Sequence, residues 1–179
     1  MCGYSLETLI ELGCLSFRWT FDHIKELLLP HRSTLQELRI RQHGPKQEGL
    51  ERFDLKTFQN LRALQLCTLC LPTPEKACDL WLTPKLQRLV LESSWNDSQC
   101  GIIWVFGEDD VAWLAAFVDI AEDRQRSGAS CLRIIEVIHG TNEDYELTDM
   151  QRSELDANCS KGKEIVESHG FEFVWRVEI

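Results

Sequence analysis

Leucine and other apolar residues recur along the chain in short segments with the pattern Leu-x-x-Leu-x-apolar. The first positions of four segments are separated by 26, 26 and 25 residues, and a fifth segment follows after 46. Apolar and polar positions alternate within each segment, as a short β-strand with one buried face requires. The pattern therefore predicts one strand in each segment. The segments are Leu9/Leu12/Cys14, Leu35/Leu38/Ile40, Leu61/Leu64/Leu66, Leu86/Leu89/Leu91 and Leu132/Ile135/Val137.

The residues between these segments predict a return of the chain on the other side of a sheet. Helical spacing of apolar residues is strongest over 111–121, where the helix should stop near Gly128, and a second long helix is expected over 148–168. Shorter returns are expected over 22–29, 50–58 and 77–82. Alternation of Phe171, Phe173, Trp175 and Val177 predicts a last strand.

A repeat of about twenty-five residues with this pattern is typical of a leucine-rich-repeat solenoid. Each strand and its return leave one apolar face open, which the next unit must cover. We therefore expect an α/β fold, an irregular leucine-rich-repeat solenoid whose parallel sheet has about five to six short strands, with helices or loops on the other side. The solenoid should be irregular because Asn or Cys is missing eight residues after each first leucine. Those positions hold Phe17, His43, Leu69, Ser94 and Gly140.

The 179 residues should form a single domain with two parts. Residues 1–100 hold the compact repeats and carry 12 acidic and 12 basic residues. Residues 101–179 hold enlarged repeats with 17 acidic and 7 basic residues, which account for the whole net charge of −10. An acidic half disfavours nonspecific binding to nucleic acid or anionic membranes, so we expect neither as a partner.

The outward positions of the predicted strands are the candidate partner-binding residues, because stacked strands form an extended surface. Their mixture of charged and apolar side chains suits an unidentified protein partner. A parallel sheet could equally present these residues only as a solvated face, and the sequence leaves both interpretations open. The candidates are Glu37, Arg39, Arg41, Gln65, Arg88, Val90, Glu92, Ile134, Glu136 and Ile138.

The cysteines and acidic residues do not form a convincing metal or catalytic motif. Cys67 and Cys70 have the spacing of a metal or redox pair, with Cys78 downstream, but no second pair follows. The acidic loop over 139–149 lacks the spacing of a calcium loop. No motif for a nucleophile, a phosphate loop or a zinc protease occurs. We expect a non-enzymatic protein without a metal or another cofactor.

Two further sequence features bear on the environment of the chain. Acidic residues and the lack of a basic flank at the N-terminus argue against a secretory signal, and no apolar run would span a bilayer. We therefore expect a cytoplasmic or nuclear protein whose eight cysteines stay reduced. Of the six tryptophans, Trp113 and Trp175 should pack in the core, whereas Trp95 and Trp104 are candidate interface residues.

Three phrases carry a resemblance to a known family. They are Leu28-Leu29-Pro30-His31-Arg32-Ser33-Thr34-Leu35, Phe58-Gln59-Asn60-Leu61-Arg62-Ala63-Leu64-Gln65-Leu66 and Pro84-Lys85-Leu86-Gln87-Arg88-Leu89. The resemblance continues through residues 113–117 and 131–135, and it spans roughly residues 9–139. At these residues the chain resembles the C-terminal leucine-rich-repeat region of fungal F-box proteins.

That resemblance implies that the chain is the substrate-recognition part of an F-box-type ubiquitin ligase receptor. The F-box itself is not visible, so the chain is expected to be a fragment or a repeat protein without that module. A Skp-type adaptor would be a partner only if an F-box exists upstream. The alternative is a free-standing leucine-rich-repeat scaffold unrelated to ubiquitination.

Overall fold

A computed structural model describes residues 8–9, 20–40, 52–67, 71–93, 96–97, 102–103, 105–140 and 147–178. Strands and α-helices alternate over most of these ranges. In chain order they are β1 (Thr8–Leu9), α1 (Phe21–Leu28), β2 (Glu37–Ile40), β3 (Ala63–Cys67), α2 (Pro74–Trp81), β4 (Arg88–Glu92), β5 (Asn96–Asp97), β6 (Ile102–Ile103), α3 (Glu108–Arg126), β7 (Ile134–Gly140), α4 (Asp149–Ser168) and β8 (Glu172–Glu178). A short 3-10 turn, Leu29–His31, follows α1.

Six strands form one sheet, and all of its neighbouring strands are parallel. Their order across the sheet is β1-β2-β3-β4-β7-β8, which is also their order along the chain. The strands β5 and β6 form a separate antiparallel pair. The predicted α/β class with a parallel sheet and helices is therefore confirmed.

Equivalent positions of four predicted segments lie side by side in the sheet. Leu38 is opposite Leu64, which is opposite Leu89, and Leu89 is opposite Ile135. On the far side, Phe173 of β8 extends the same row. The spacing of the leucines thus predicted the register of four strands correctly.

The register predicted for the first segment was wrong by three residues. Alignment of the repeats placed Leu12 opposite Leu38, whereas the structure places Leu9 there. Leu6, Leu9 and Leu12 follow each other at intervals of three, so the Leu-x-x-Leu pair occurs in two phases. The apolar third position favoured the wrong phase, because Cys14 follows Leu12 whereas Glu11 follows Leu9. Leu12 and Cys14 themselves lie outside the described residues.

The core lies between one face of the sheet and the four helices. The inward rows of the strands and the apolar stripes of α1, α2, α3 and α4 belong to one cluster of buried side chains. Residues of the return before β3 complete it, since Phe53, Leu55 and Phe58 are buried there. Burial of this continuous apolar surface is the main favourable contribution to folding.

The start of α4 and the ends of both long helices lie where local chemistry predicts. The hydroxyl of Thr148 accepts a hydrogen bond from the Gln151 amide at the start of α4, and the Gln151 side chain accepts one from the Thr148 amide. After α3 and α4, Gly128 and Gly170 adopt φ values of 74° and 80°, a left-handed conformation that glycine adopts without strain. In the described part of the chain, the helices are too short or too polar to cross a membrane.

Two of the tryptophans have different environments from one another. Trp113 stacks on Phe117 with ring centroids 5.0 Å apart and donates from Nε1 to the carbonyl oxygen of Pro72 at 2.7 Å. Trp175 is 37% exposed, so its predicted core position is wrong. It lies on β8, which has a single neighbour in the described sheet, and an edge strand offers less cover than an inner one. Trp95 and Trp104 lie outside the described residues.

His169 connects the end of α4 to α3. Its Nδ1 lies 2.8 Å from the carbonyl oxygen of Ile165, and its Nε2 lies 2.7 Å from Oδ1 of Asp119. Both neighbours are acceptors, so both contacts are hydrogen bonds only when the ring carries two protons. The Ile165 carbonyl and then the Asp119 carboxylate raise the pKa of His169, although partial burial opposes them.

We predict that this connection loses its stabilising effect as the pH rises. The pKa is higher in the folded chain than in the unfolded chain, where histidine titrates near about 6.5. The stabilisation is therefore complete below that unfolded value and is lost as the pH passes the folded pKa. Urea denaturation of the wild type and of His169→Gln should give a difference in unfolding free energy that shrinks with rising pH. Titrating groups that do not interact with His169 cancel in this difference, and a difference that grew with pH would contradict the assignment.

Candidate protein-binding face

The sheet has a second face, on the side away from the helices, which we call the outer face. Parallel register places its residues in rows that cross the strands. The first row is Glu37, Ala63, Arg88, Ile134 and Glu172; the second is Arg39, Gln65, Val90, Glu136 and Val174; the third includes Cys67, Glu92, Ile138 and Arg176. Buried apolar members such as Val90 and Ile138 are absent from the helix-side core cluster, as expected for the opposite face.

The predicted candidates divide into a partly exposed group and a buried group. Glu37, Arg39, Arg88 and Ile134 are partly exposed. The expectation that the whole face is open to solvent is wrong for five residues, because Gln65, Val90, Glu92, Glu136 and Ile138 are 1–6% exposed. Alternation predicted the direction of these side chains but not their burial. Arg41 lies outside the described residues.

Glu136 is the most strongly held charge of the outer face. Its side chain is 1% exposed and lies between arginines from both adjacent strands. Arg88 on β4 donates from Nε to Oε2 at 2.8 Å and also pairs through its terminal amino group. On β8, Arg176 places its Nε 2.9 Å from Oε1, an ion-pair contact without the geometry of a hydrogen bond. A buried carboxylate requires such partners because its desolvation is otherwise uncompensated.

A second buried polar pair lies on the neighbouring strands. Gln65 on β3 donates from Nε2 to Oε2 of Glu92 on β4 at 2.7 Å. Both this pair and the Arg88–Glu136 pair join residues two positions apart in register, diagonally across adjacent strands. Side-chain contacts between adjacent strands therefore connect the outer face, and they fix the conformations of several candidate residues.

A small open depression lies among the arginines of this face. Its volume is about 90 Å³, and its lining includes Arg39, Gln65, Arg88, Val90 and Arg176. Sites for drug-sized molecules usually measure about 300–1,000 Å³, so this depression has room for one side chain rather than for such a ligand. Arg39 makes no side-chain hydrogen bond or ion pair with any residue in the described part of the chain. Among the arginines lining the depression, Arg39 is the one whose side chain has no hydrogen-bond or ion-pair partner in the described part of the chain.

The thiols in the core lack the chemistry of a metal or redox site. Burial raises the pKa values of both Cys78 and Cys159 to about 12, so these thiols stay protonated at neutral pH. Cys67 is buried on the outer face, while Cys70 lies outside the described residues. No cluster of three His, Cys, Asp or Glu side chains suited to a metal occurs within the described ranges.

The predicted acidic loop divides between described and undescribed residues. At its start, His139 is buried beside Ser93, whose Oγ lies 3.1 Å from Nδ1. Burial lowers the pKa of His139, so the neutral ring is favoured. Residues 141–146 lie outside the described ranges.

The candidate list from the sequence omitted the outer face of β8. Glu172, Val174 and Arg176 continue the three rows, and Arg176 contacts Glu136 directly. The signal was present, because the apolar alternation of residues 171–177 already implied that the even-numbered residues point outward. Extending the rows to the last predicted strand would have found them.

We predict that two equivalent-looking arginines respond differently to the same substitution. Arg88→Glu should lower the unfolding free energy by about 2–3 kcal/mol, because it replaces the main partner of a buried carboxylate with a second negative charge. This value is below that of fully buried pairs because the Arg88 side chain is 41% exposed. Urea denaturation measures the change.

Arg39→Glu is the matched control on the same face. It should change the unfolding free energy by no more than about 0.5 kcal/mol, since Arg39 holds no partner among the described residues. A loss in Arg88→Glu as small as the one expected for Arg39→Glu would show that the Arg88–Glu136 contact does not stabilise the fold.

Comparison of the chain with models of known protein families, with curated proteins and with solved structures finds no match. The interpretation of the outer face therefore rests on the residues and contacts of this chain alone.

Proposed function

We propose that the chain is a non-enzymatic module that binds another protein through the outer face of its sheet. The observation that supports this most directly is the open, partly cationic depression beside Arg39. A side chain of a partner fits its volume, and a mixed polar and apolar surface is typical of protein interfaces. Arginine is also enriched among the residues that contribute most to such interfaces.

We further propose that the fold is an irregular leucine-rich-repeat solenoid. The order of the strands across the sheet follows the chain, so each strand pairs with the next main strand in sequence. The last three helices follow the same rule, because α2 packs against α3 and α3 against α4. Contact between successive units is the defining property of solenoids, and it supports the solenoid over other two-layer α/β folds.

The resemblance to fungal F-box proteins supports a more specific proposal. In that family, the leucine-rich region recognises the protein to be ubiquitinated, and the outer face would be the recognition surface here. A free-standing scaffold unrelated to ubiquitination is the alternative. It requires the same face and differs only in lacking an F-box.

The binding proposal predicts selective loss of a partner in the Arg39→Glu variant. Immobilised wild-type chain incubated with native extract should retain a protein that Arg39→Glu retains about tenfold less. Arg152→Glu is a matched control, because it makes the same charge change at an exposed residue of α4. The purified partner should then show the same order of affinities. Equal retention by all three chains would contradict binding through the outer face.

The ligase proposal predicts behaviour that depends on sequence upstream of this chain. A gene product that extends upstream and includes an F-box should co-purify with a Skp-type adaptor, whereas residues 1–179 alone should not. If the extended product never retrieves the adaptor, the ligase proposal fails and the scaffold remains. Partner retention by the outer face is unaffected by that result, so the two proposals are tested separately.

A further inference from the structure

Strand β8 lies at one edge of the described sheet. Its seven residues pair with β7 on one side, and no described strand pairs with its other side. An open edge presents unpaired backbone donors and acceptors, which other strands can bind. Natural proteins usually shield such edges or use them for association.

The backbone of β8 shows which of its groups are available at the edge. The amide of Glu172 donates to the carbonyl oxygen of Arg133 at 2.8 Å, so the polar groups of the even-numbered residues point toward β7. Successive residues of a strand point their backbone groups to opposite sides. The backbone groups of Phe173, Trp175 and Val177 therefore point to the open edge.

Two large apolar side chains of β8 are exposed beside the edge that no described strand pairs with. Trp175 and Val177 are 37% and 44% exposed, and both belong to the helix side of the sheet. On the outer face, Glu172 and Arg176 are exposed and carry opposite charges. Strand β8 contains Arg176 but neither of the residues, lysine and proline, that natural proteins most often use to prevent association at an edge.

Charge complementarity selects one way for two copies of this edge to pair. Two β8 strands can pair antiparallel so that the helix sides of the two sheets lie on the same side. Three such registers, centred on Val174, Trp175 or Arg176, align at least five residues. Centring on Trp175 puts Glu172 opposite Glu178 of the other copy, and centring on Arg176 puts two arginines opposite each other. Centring on Val174 puts Glu172 opposite Arg176 of the other copy, twice by symmetry. That register also pairs Phe173 with Trp175 of the other copy.

We propose that the chain forms a two-fold symmetric dimer through antiparallel pairing of β8, centred on Val174. The backbone agrees with this register, since Phe173 and Trp175 both direct their polar groups to the edge and can exchange hydrogen bonds. The guanidinium of Arg176 has five N–H donors, so it can pair with Glu172 of the other copy while contacting Glu136. The two sheets become one continuous sheet, and the exposed part of Trp175 is covered. This dimer is independent of protein binding by the outer face.

Sedimentation velocity of the full chain tests the proposal directly. Between about 1 and 100 μM, the wild type should pass from monomer to dimer. Glu172→Lys should weaken the dimer by about tenfold or more, because it replaces two attractive pairs with two repulsive ones. Glu178→Lys makes the same charge change on the same strand but lies beyond the paired residues, and it should leave the dimer constant unchanged.

Each other outcome overturns the proposal. A wild type that remains monomeric throughout this range has no such dimer. A dimer that tolerates Glu172→Lys uses another surface. A dimer that Glu172→Lys strengthens pairs Glu172 with Glu178, which contradicts the register centred on Val174. Circular dichroism of each variant establishes that the fold is retained.

Discussion

The fold depends on one constraint, the alignment of apolar residues from successive strands in a single buried row. Leu38, Leu64, Leu89 and Ile135 occupy equivalent positions in four adjacent strands, and all are fully buried. Since side chains alternate between the two faces, a slip of one residue would move a leucine to the outer face and a polar residue into the core. The hydrophobic cost of that exchange fixes the register of the sheet and, with it, the place of every outer-face residue.

The electrostatics of the outer face follow from this register. Arg88 and Arg176 reach Glu136 because each lies two positions away on an adjacent strand. The same diagonal relation joins Gln65 and Glu92. Several charged side chains of the outer face therefore already hold ion-pair or hydrogen-bond partners. Arg39 holds none among the described residues. The proposed binding therefore relies on the partly exposed candidates, such as Arg39, rather than on the buried ones.

The sequence predicted most of the fold because its signals were redundant. Strands β2, β3 and β4 carried both alternation and even spacing, and α4 combined a capping threonine with a terminal glycine. In the first segment the even spacing itself supported the wrong phase, since leucines at intervals of three allowed two phases. For the candidate site, alternation gave the direction of Glu136 but contained no information on the arginines that cover it. Trp175 was misplaced for a related reason, because apolarity predicts a core position only where another element covers the strand.

Removal of a leucine from the buried row tests the central constraint most directly. Leu89 is fully buried in the row, whereas Leu27 of α1 is 48% exposed and provides a control with the same change. Chemical denaturation should show that Leu89→Ala lowers the unfolding free energy by about 2–5 kcal/mol, with less than about 1 kcal/mol for Leu27→Ala. Similar small losses in both variants would contradict the account, because the aligned row would then not hold the fold together.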